Sequence, residues 1–295
     1  MPNNEPKDEM ADDQRGRQSK HSDHEHERYW SLSDKERQEF LRSSYAQRDA
    51  KDPYATSRDY NARELEIQSI IENLIPGLII DLGCGNGFTL LRVAEKVKGD
   101  FVGVDFTEHL IQGAKDLAAA SNLPTKPRFV CADAIKYLAA QAAGSADCII
   151  TERFIQNLPS AEWQQSVMKD IFRVLRPGGR ALICEGSATG FESLNDLREK
   201  VALSRIPATS AENITAIRLV DSTFETHCHE VGFRLVRKCG YSLFFVITRV
   251  LHPLLVAPAS PRFDARINDL AGAIQSHAPF DSGYGGNVLW VLERP

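Results

Sequence analysis

The chain lacks a long hydrophobic run. Its most apolar stretch, Leu243 to Val256, is broken by Arg249, His252 and Pro253. It falls short of the roughly 20 residues a membrane-spanning helix needs, so no span is expected. A basic excess is also missing, since 35 Lys and Arg stand against 40 Asp and Glu for a net charge of −5. That balance argues against a nucleic-acid partner and leaves only a local basic patch open. The six cysteines, at 84, 131, 148, 184, 228 and 239, form no C-x-x-C pair, and several fall in predicted core strands, where a free thiol acts as a small apolar residue. No apolar N-terminal segment with a cleavage site is present, which leads us to expect a reducing, cytoplasmic setting. There is no internal repeat. The 295 residues suffice for a sizeable core, in one large domain or two small ones.

What is present centres on Leu78 to Leu90, L-I-I-D-L-G-C-G-N-G-F-T-L. Leu78, Ile79 and Ile80 run without alternation into Asp81, as in a strand covered on both faces. Glycines at 83, 85 and 87 then allow a tight turn with positive φ angles and a close approach of backbone to ligand. A helix with Leu90, Leu91, Val93, Ala94 and Val97 on its apolar face follows, and its free N–H groups make the turn a cofactor site. The dinucleotide pattern G-x-G-x-x-G is not met, because Phe88 stands where the third glycine should fall, which disfavours a nicotinamide cofactor. A second run, Phe101 to Phe106, ends in Asp105 about 20 residues past the turn, where a carboxylate can accept from both hydroxyls of a ribose. A third, Arg128 to Ala134, ends in Asp133.

With these three runs the chain resembles the class I S-adenosylmethionine-dependent methyltransferases, whose first motif is a D-x-G-x-G-x-G turn like Asp81 to Gly87. The resemblance implies S-adenosylmethionine as cofactor. It places Asp81 and the Gly83-Cys84-Gly85-Asn86-Gly87 loop at the methionine part, Asp105 at the ribose, Phe106 at the adenine face, and Asp133 with Ala134 at the adenine amino group. It also implies that Tyr60 and Arg63, on a helix leading into the first strand, reach the methionine carboxylate; on general grounds they could equally be a packing tyrosine and an exposed arginine.

Taken in order, residues 1–28 are polar, with His21, His24 and His26 among acidic neighbours, and are expected to be a disordered tail. A metal-binding role for those histidines is the other reading. Residues 29–75 are expected to supply helices over the cofactor, one opened by a capping box at Ser33 to Glu36 and ended at Pro53, the next from Tyr60 to Asn73. Residues 76–295 alternate strands and helices: a helix over 108–120, a strand from Arg128, a helix over 135–142, a strand over 147–152, a helix over 162–175 stopped by Arg176-Pro-Gly-Gly, and a strand over 181–185. The string from Arg173 to Ile183 closely resembles the family's own. The expected fold is α/β, a Rossmann-like, mostly parallel seven-stranded sheet with helices on both faces. A helix over 223–231, strands over 233–241 and 287–292 paired antiparallel at the edge, and insertions at about 187–222 and 242–285 complete it. The second insertion is expected to be a helical lid over the acceptor or a homodimer contact.

Acceptor residues are sought past the carboxyl ends of the strands. Glu152, Arg153 and Asn157 follow the fourth strand, and Glu185 and Ser187 the fifth. Glu152 and Glu185 could together serve as a base, or hold a cationic amine or guanidinium; alternatively Glu152 pairs with Arg153 and only shapes the pocket. Arg198, Arg205 and Arg249 could clamp a carboxylate or phosphate, or could be surface charges. His227 and His229 lack a third ligand at metal spacing. The family's D/N-P-P-Y/F motif for base or amide nitrogen is absent, Thr151-Glu-Arg-Phe154 standing in its place. The expected activity is O- or N-methylation of a small molecule, with a protein arginine or lysine methyltransferase and a cofactor-binding protein without catalysis as alternatives.

Overall fold

The computed structural model describes residues 27–52, 54, 57, 59–208 and 215–295. The expected tail as far as His26, and Pro53, lie outside the described residues; Glu27 to Trp30 form a helical turn. Helix α1, Asp34–Tyr45, opens on the expected capping box: the Ser33 N–H donates to Glu36 Oε2 at 2.8 Å while Ser33 Oγ accepts from the Glu36 N–H at 3.4 Å. Helix α2, Tyr60–Asn73, starts where Asp59 accepts from the Ala62 N–H at 3.1 Å. Both sides of α2 are buried. Ile67 and Ile70 sit in the core, while Arg63, Glu66 and Ser69 are also enclosed.

The remaining elements are β1 (Gly77–Leu82), α3 (Phe88–Lys96), β2 (Gly99–Asp105), α4 (Glu108–Ala120), β3 (Arg128–Cys131), α5 (Ala134–Ala139), β4 (Ala146–Glu152), α6 (Ala161–Val174), β5 (Leu175–Gly186), α7 (Ala188–Lys200), α8 (Asp221–Val231), β6 (Arg234–Gly240), α9 (Ser242–Val246), α10 (His252–Val256), α11 (Arg266–Gln275) and β7 (Asn287–Glu293). They build one seven-stranded sheet of order β3-β2-β1-β4-β5-β7-β6. β7 runs antiparallel to both neighbours and every other pairing is parallel. Strand order reverses between β1 and β4, so the carboxyl ends of those two strands flank the crevice where open α/β sheets bind ligands.

Successive residues of the central strands serve opposite layers. Ile80, Leu82, Ile149, Ile183 and Trp290 pack with Met168 and Ile171 of α6 and Phe224 of α8. Ile79, Phe101, Ile150, Leu182 and Val291 pack with Leu90 of α3, Ile111 of α4 and Ile70 of α2. This is why the strands read as unbroken apolar runs.

Some boundaries differ from expectation. β5 begins at Leu175, because Arg176 to Gly179 form an irregularity at its start instead of a separate turn. α5 ends at Ala139. In the second insertion, α9 continues through a π-helical stretch, Ile247–Leu251, into α10. Phe244, Phe245 and Val250 pack with Ala62, Leu65 and Leu194, whereas Leu251, Leu254 and Leu255 are 44%, 44% and 66% exposed. The apolar residues of this segment therefore divide between core and surface. Among the described residues no helix is long and apolar enough to cross a membrane.

Candidate functional site

The glycine turn has the geometry its composition demands, with φ of +74° at Gly83, +54° at Gly85 and +73° at Gly87. The Gly83 and Cys84 N–H groups donate to Val104 O at 2.8 and 3.1 Å, which ties the turn to the end of β2. At Gly87 a Cβ would stand 2.5 Å from Phe129 Cζ, so glycine there is required by packing against β3.

Asp105, at the end of β2, accepts from the Gly85 N–H through Oδ2 at 3.0 Å and from the Thr107 N–H through Oδ1 at 2.7 Å. Each oxygen has two lone pairs, so one acceptor position on each is left for a ligand. Burial raises the Asp105 pKa, against those two N–H groups that lower it. Asp133 caps α5, its Oδ1 accepting from Ile135 and Lys136 at 3.0 and 3.3 Å. Its Oδ2 lies 3.9 Å from Arg42, whose guanidinium sits 5.1 Å from the Phe106 ring centre.

Asp105, Phe106, Asp133 and Arg42 line a cleft with an open mouth, together with Asp81, Gly83, Cys84, Ala134 and Glu152. Helix α1 roofs it with Gln38, Leu41, Arg42 and Tyr45. The roof is pinned at both ends: Trp163 Nε1 donates to Asp34 at 2.9 Å, Arg37 to Pro159 O at 2.6 Å, and Asn86 Nδ2 to Asp52 O at 2.8 Å.

The cleft floor is a chain of alternating charges. Arg63 Nε lies 3.6 Å from Glu152 Oε1, Arg153 donates to the same oxygen at 2.6 Å, and Thr89 donates to Oε2. Arg153 also bonds Glu66, which accepts from Asn287 at 2.5 Å. Burial alone would raise the Glu152 pKa; the two guanidiniums and Thr89 outweigh it and hold the carboxyl below its ordinary range. Arg153 has φ +56°, a strained backbone for a non-glycine residue, and its network fixes it there. Asp81 is only 2% exposed, and no ion pair to it is seen among the described residues. Burial, with the Glu152 charge adding, pushes its pKa up to about 8 against the pull of Arg63.

The sequence-predicted residues therefore divide. Arg63, Asp81, Gly83, Cys84, Gly85, Asp105, Phe106, Asp133, Ala134, Glu152, Arg153 and Asn157 line one cleft. Tyr60 does not, its hydroxyl donating to Asp269 at 2.9 Å on the outer side of α2. Asn86 and Gly87 support the turn from behind. Glu185 turns away from the cleft. In the β4–β5 register Glu152 stands beside Cys184, so Glu185 points to the opposite face of the sheet. There it is fully buried and accepts from the N–H groups of Phe154, Ile155 and Gln156 at 3.1, 2.9 and 3.1 Å. Burial, against those donors, pushes its pKa up to about 7. The paired-carboxylate arrangement is thus not formed: Glu152 is bound between two arginines and Glu185 holds a loop.

Ser187 is likewise structural, donating to Asp221 at 2.6 Å. Arg198 closes the end of α7 by donating to Ser204 O at 2.9 Å, and Arg205 pairs on the surface with Glu192, Asp196 and Glu199. Arg249 pairs with Asp59 and lines a second cavity. Among the described residues no group of three or more His, Cys, Asp or Glu is placed to hold a metal. Sequence reasoning missed Thr89 and the α1 residues Gln38, Leu41, Arg42 and Tyr45. The spacing of four in Gln38, Arg42 and of four in Leu41, Tyr45 was the available sign that one helix face is directed at a common surface.

The cleft fits S-adenosylmethionine. Asp105 keeps one lone pair per oxygen for two hydroxyls, Phe106 offers a ring, and a buried arginine faces buried acids at the end that would take an amino-acid moiety. Comparison with known proteins agrees. A family model described as a methyltransferase domain matches residues 77–232, more than half of the chain. The chain is 32% identical over 117 residues to the demethylmenaquinone methyltransferase of Lactococcus lactis, covering 37% of this chain and 42% of that protein. It is 30% identical over 105 residues to the chloroplastic tocopherol O-methyltransferase of Arabidopsis thaliana, covering 36% and 29%. These matches span less than half the length of either relative. The fold is shared with the cyclopropane synthase MmaA2 of Mycobacterium tuberculosis at a TM-score of 0.52 and 17% identity, over 79% of this chain and 84% of that one. From the glycine turn, the sheet order and the matched domain together, the chain belongs to the class I S-adenosylmethionine-dependent methyltransferases.

Proposed function

We propose that the protein transfers a methyl group from S-adenosylmethionine to an oxygen or nitrogen of a small molecule. One observation carries the reading: the roofed cofactor cleft and a second cavity, walled in part by the α9–α11 insertion, meet at Arg153, so a small acceptor would have a recess of its own beside the cofactor. In this reading Asp105 takes the ribose hydroxyls, Phe106 and Asp133 the adenine, Arg63 the methionine carboxylate, and Asp81 with Gly83 to Gly85 the amino-acid end. When bound, the cofactor supplies an electrophilic methyl on a cationic sulfur.

An acceptor lone pair forms the new bond as the carbon–sulfur bond breaks, and that electron pair goes to sulfur, leaving a neutral thioether. An O–H or N–H acceptor gives its proton to water at the open mouth of the cleft. The protein's part is alignment, able to supply roughly 7 to 11 kcal/mol, and exclusion of water by α1 and the insertion. Because Glu152 is already neutralised by Arg63 and Arg153, it adds little attraction for the sulfonium before reaction. A carboxylate that bound that charge strongly would stabilise the ground state more than the transition state, where the charge is being lost. No histidine lines either cavity among the described residues, and Glu152, the carboxylate beside the shared Arg153, is engaged by Arg63 and Arg153, which favours an acceptor that needs no strong base.

The relatives named above are a demethylmenaquinone methyltransferase and a tocopherol O-methyltransferase, which accords with a small-molecule acceptor. The protein arginine or lysine reading loses its motivation, since Glu152 and Glu185 do not face one another. Incubation with methyl-labelled S-adenosylmethionine, a metabolite extract and a protein lysate tests the assignment. Label is expected in the metabolite fraction. Label confined to protein would overturn it, and label in neither alongside tight cofactor binding would leave the binding-only reading.

A further inference from the structure

The second cavity is bordered by Arg48, Arg218, Arg249, Gln156, Phe245 and Phe263, in addition to the shared Arg153. Asp59 is the one carboxylate among its described lining residues, and Arg249 takes it. Arg153 is committed to Glu66 and Glu152. Arg218 is different. Among the described residues it has no ion pair; it donates one hydrogen bond, to Ala208 O at 2.7 Å, and its guanidinium lies 4.1 Å from the Phe191 ring centre. A guanidinium carries five N–H donors, so most of its capacity is unused.

The chain holds Arg218 in place from both sides. Ile217 N–H donates to Gln156 O at 2.6 Å and Leu219 N–H to Gly186 O at 2.8 Å, fixing the segment against the carboxyl ends of β4 and β5. At Gly186 a Cβ would come within 3.0 Å of Arg218 Cγ and 2.5 Å of Gln156 Oε1, so the last residue of β5 is a glycine where the arginine crosses it. Burial lowers the Arg218 pKa, the direction for a cation taken from water without a bonded counter-charge. An oxyanion would restore that balance, and a fork of N–H donors suits a carboxylate or phosphate.

We propose that this cavity takes the methyl acceptor as a small organic anion, its carboxylate or phosphate held by Arg218 and its apolar body lying against Phe245 and Phe263. The proposal rests on the methyl-transfer reading and names its substrate class. An acceptor anchored there presents its other end toward Arg153, the residue common to both cavities.

The test uses the full chain saturated with S-adenosylhomocysteine and three probes of similar size: benzoate, phenyl phosphate and benzyl alcohol. Calorimetry should detect one or both anions and not the alcohol, and the tighter anion identifies the preferred oxyanion. Arg218→Gln should weaken anion binding by about tenfold or more, because charge-assisted hydrogen bonds are lost. Arg218→Lys should retain part of it, and Arg205→Gln, in the surface cluster, should change nothing. S-adenosylhomocysteine affinity should stay unchanged in Arg218→Gln, which shows that the variant is folded and that its cofactor cleft is intact. Benzyl alcohol binding as tightly as benzoate would overturn the proposal, and so would anion binding that survives Arg218→Gln. Either result would leave the methyltransferase assignment standing, which only loss of cofactor binding or of methyl transfer would touch.

Discussion

Asp81 should make cofactor binding release a proton. Its carboxyl is buried at the end of β1, with the Glu152 and Asp105 charges adding to burial and Arg63 opposing, and its pKa in the free protein is about 8. At pH 7 a group of that pKa is about ten parts protonated to one ionised. The ammonium group of the amino-acid end of S-adenosylmethionine is cationic and favours the carboxylate, so binding at pH 7 bears the cost of removing that proton, about 1.4 kcal/mol relative to the plateau above the pKa. Affinity should therefore rise by about tenfold per unit from about pH 6 to pH 7.5 and level off above pH 8.

The sign for the empty protein is the reverse. A carboxyl raised above its unfolded value of about 3.9 leaves the fold progressively less stable as pH rises from about 4 to 8. Bound cofactor should cancel that loss, so the melting-temperature gain it gives should grow across the same interval. Calorimetry in two buffers of different ionisation heat counts the protons directly, and about 0.9 should be released per cofactor at pH 7. Asp81→Asn removes the titrating group and separates it from the cofactor's own amine. An affinity slope that is as steep in Asp81→Asn as in the parent protein would refute the assignment of the proton to this residue.

Three further outcomes are expected. Asp105→Ala should weaken S-adenosylhomocysteine binding by more than 1 kcal/mol, since hydrogen bonds to a charged acceptor contribute about 1.5 to 3, and Gly85→Val should weaken it further by placing a side chain at φ +54° in the cleft wall; isothermal calorimetry reads both, and unchanged affinity in both would displace the cofactor from this cleft. Glu185→Ala strands three buried N–H groups and should lower stability to urea unfolding by about 3 kcal/mol or more, with Glu185→Gln milder because it keeps an acceptor oxygen, while a full loss of methyl transfer in a well-folded Glu185→Gln would restore a catalytic role. Hydrogen exchange should slow in α1 with S-adenosylhomocysteine and in Phe245 to Arg249 when benzoate is added; protection of α9 to α11 by liposomes alone would instead assign the exposed Leu251, Leu254 and Leu255 to a membrane surface.

Much of this site was legible because geometry leaves few residue types able to fill it. Positive φ at 83, 85 and 87 requires glycine, and Asp105 stands about one βα unit past the turn, so spacing alone located the cleft. The helix boundaries of α2 and α4 followed from periodicity. The arginines were the opposite case. Arg198, Arg205 and Arg249 were equal candidates by type, because a long flexible side chain reaches several partners and local sequence does not say which carboxylate or carbonyl it meets. Only Arg249 reaches a cavity, and Arg218, whose place depends on backbone bonds to Gln156 and Gly186, carried no local sign.

Of the two readings of Glu152, the structure has the pairing with Arg153 and not a face shared with Glu185, and the reason is sharper. Both residues end neighbouring strands, and chain topology alone puts both at the ligand-binding edge. Which face each serves depends on register, and a shift of one residue reverses it. Here Glu152 is level with Cys184, so Glu152 shares its face with Ile150 and Leu182, toward α2 and α3, where Arg63 and Thr89 receive it. Glu185 falls on the face of Ile149 and Ile183, under the 153–157 turn. The apolar residues already contained this answer, since Ile150 and Leu182 belong to one layer and Ile149 and Ile183 to the other. Had the two strands been aligned on those layers, position 152 would have matched 184, and the second carboxylate would have been assigned to the loop that carries Arg153 instead of to the chemistry.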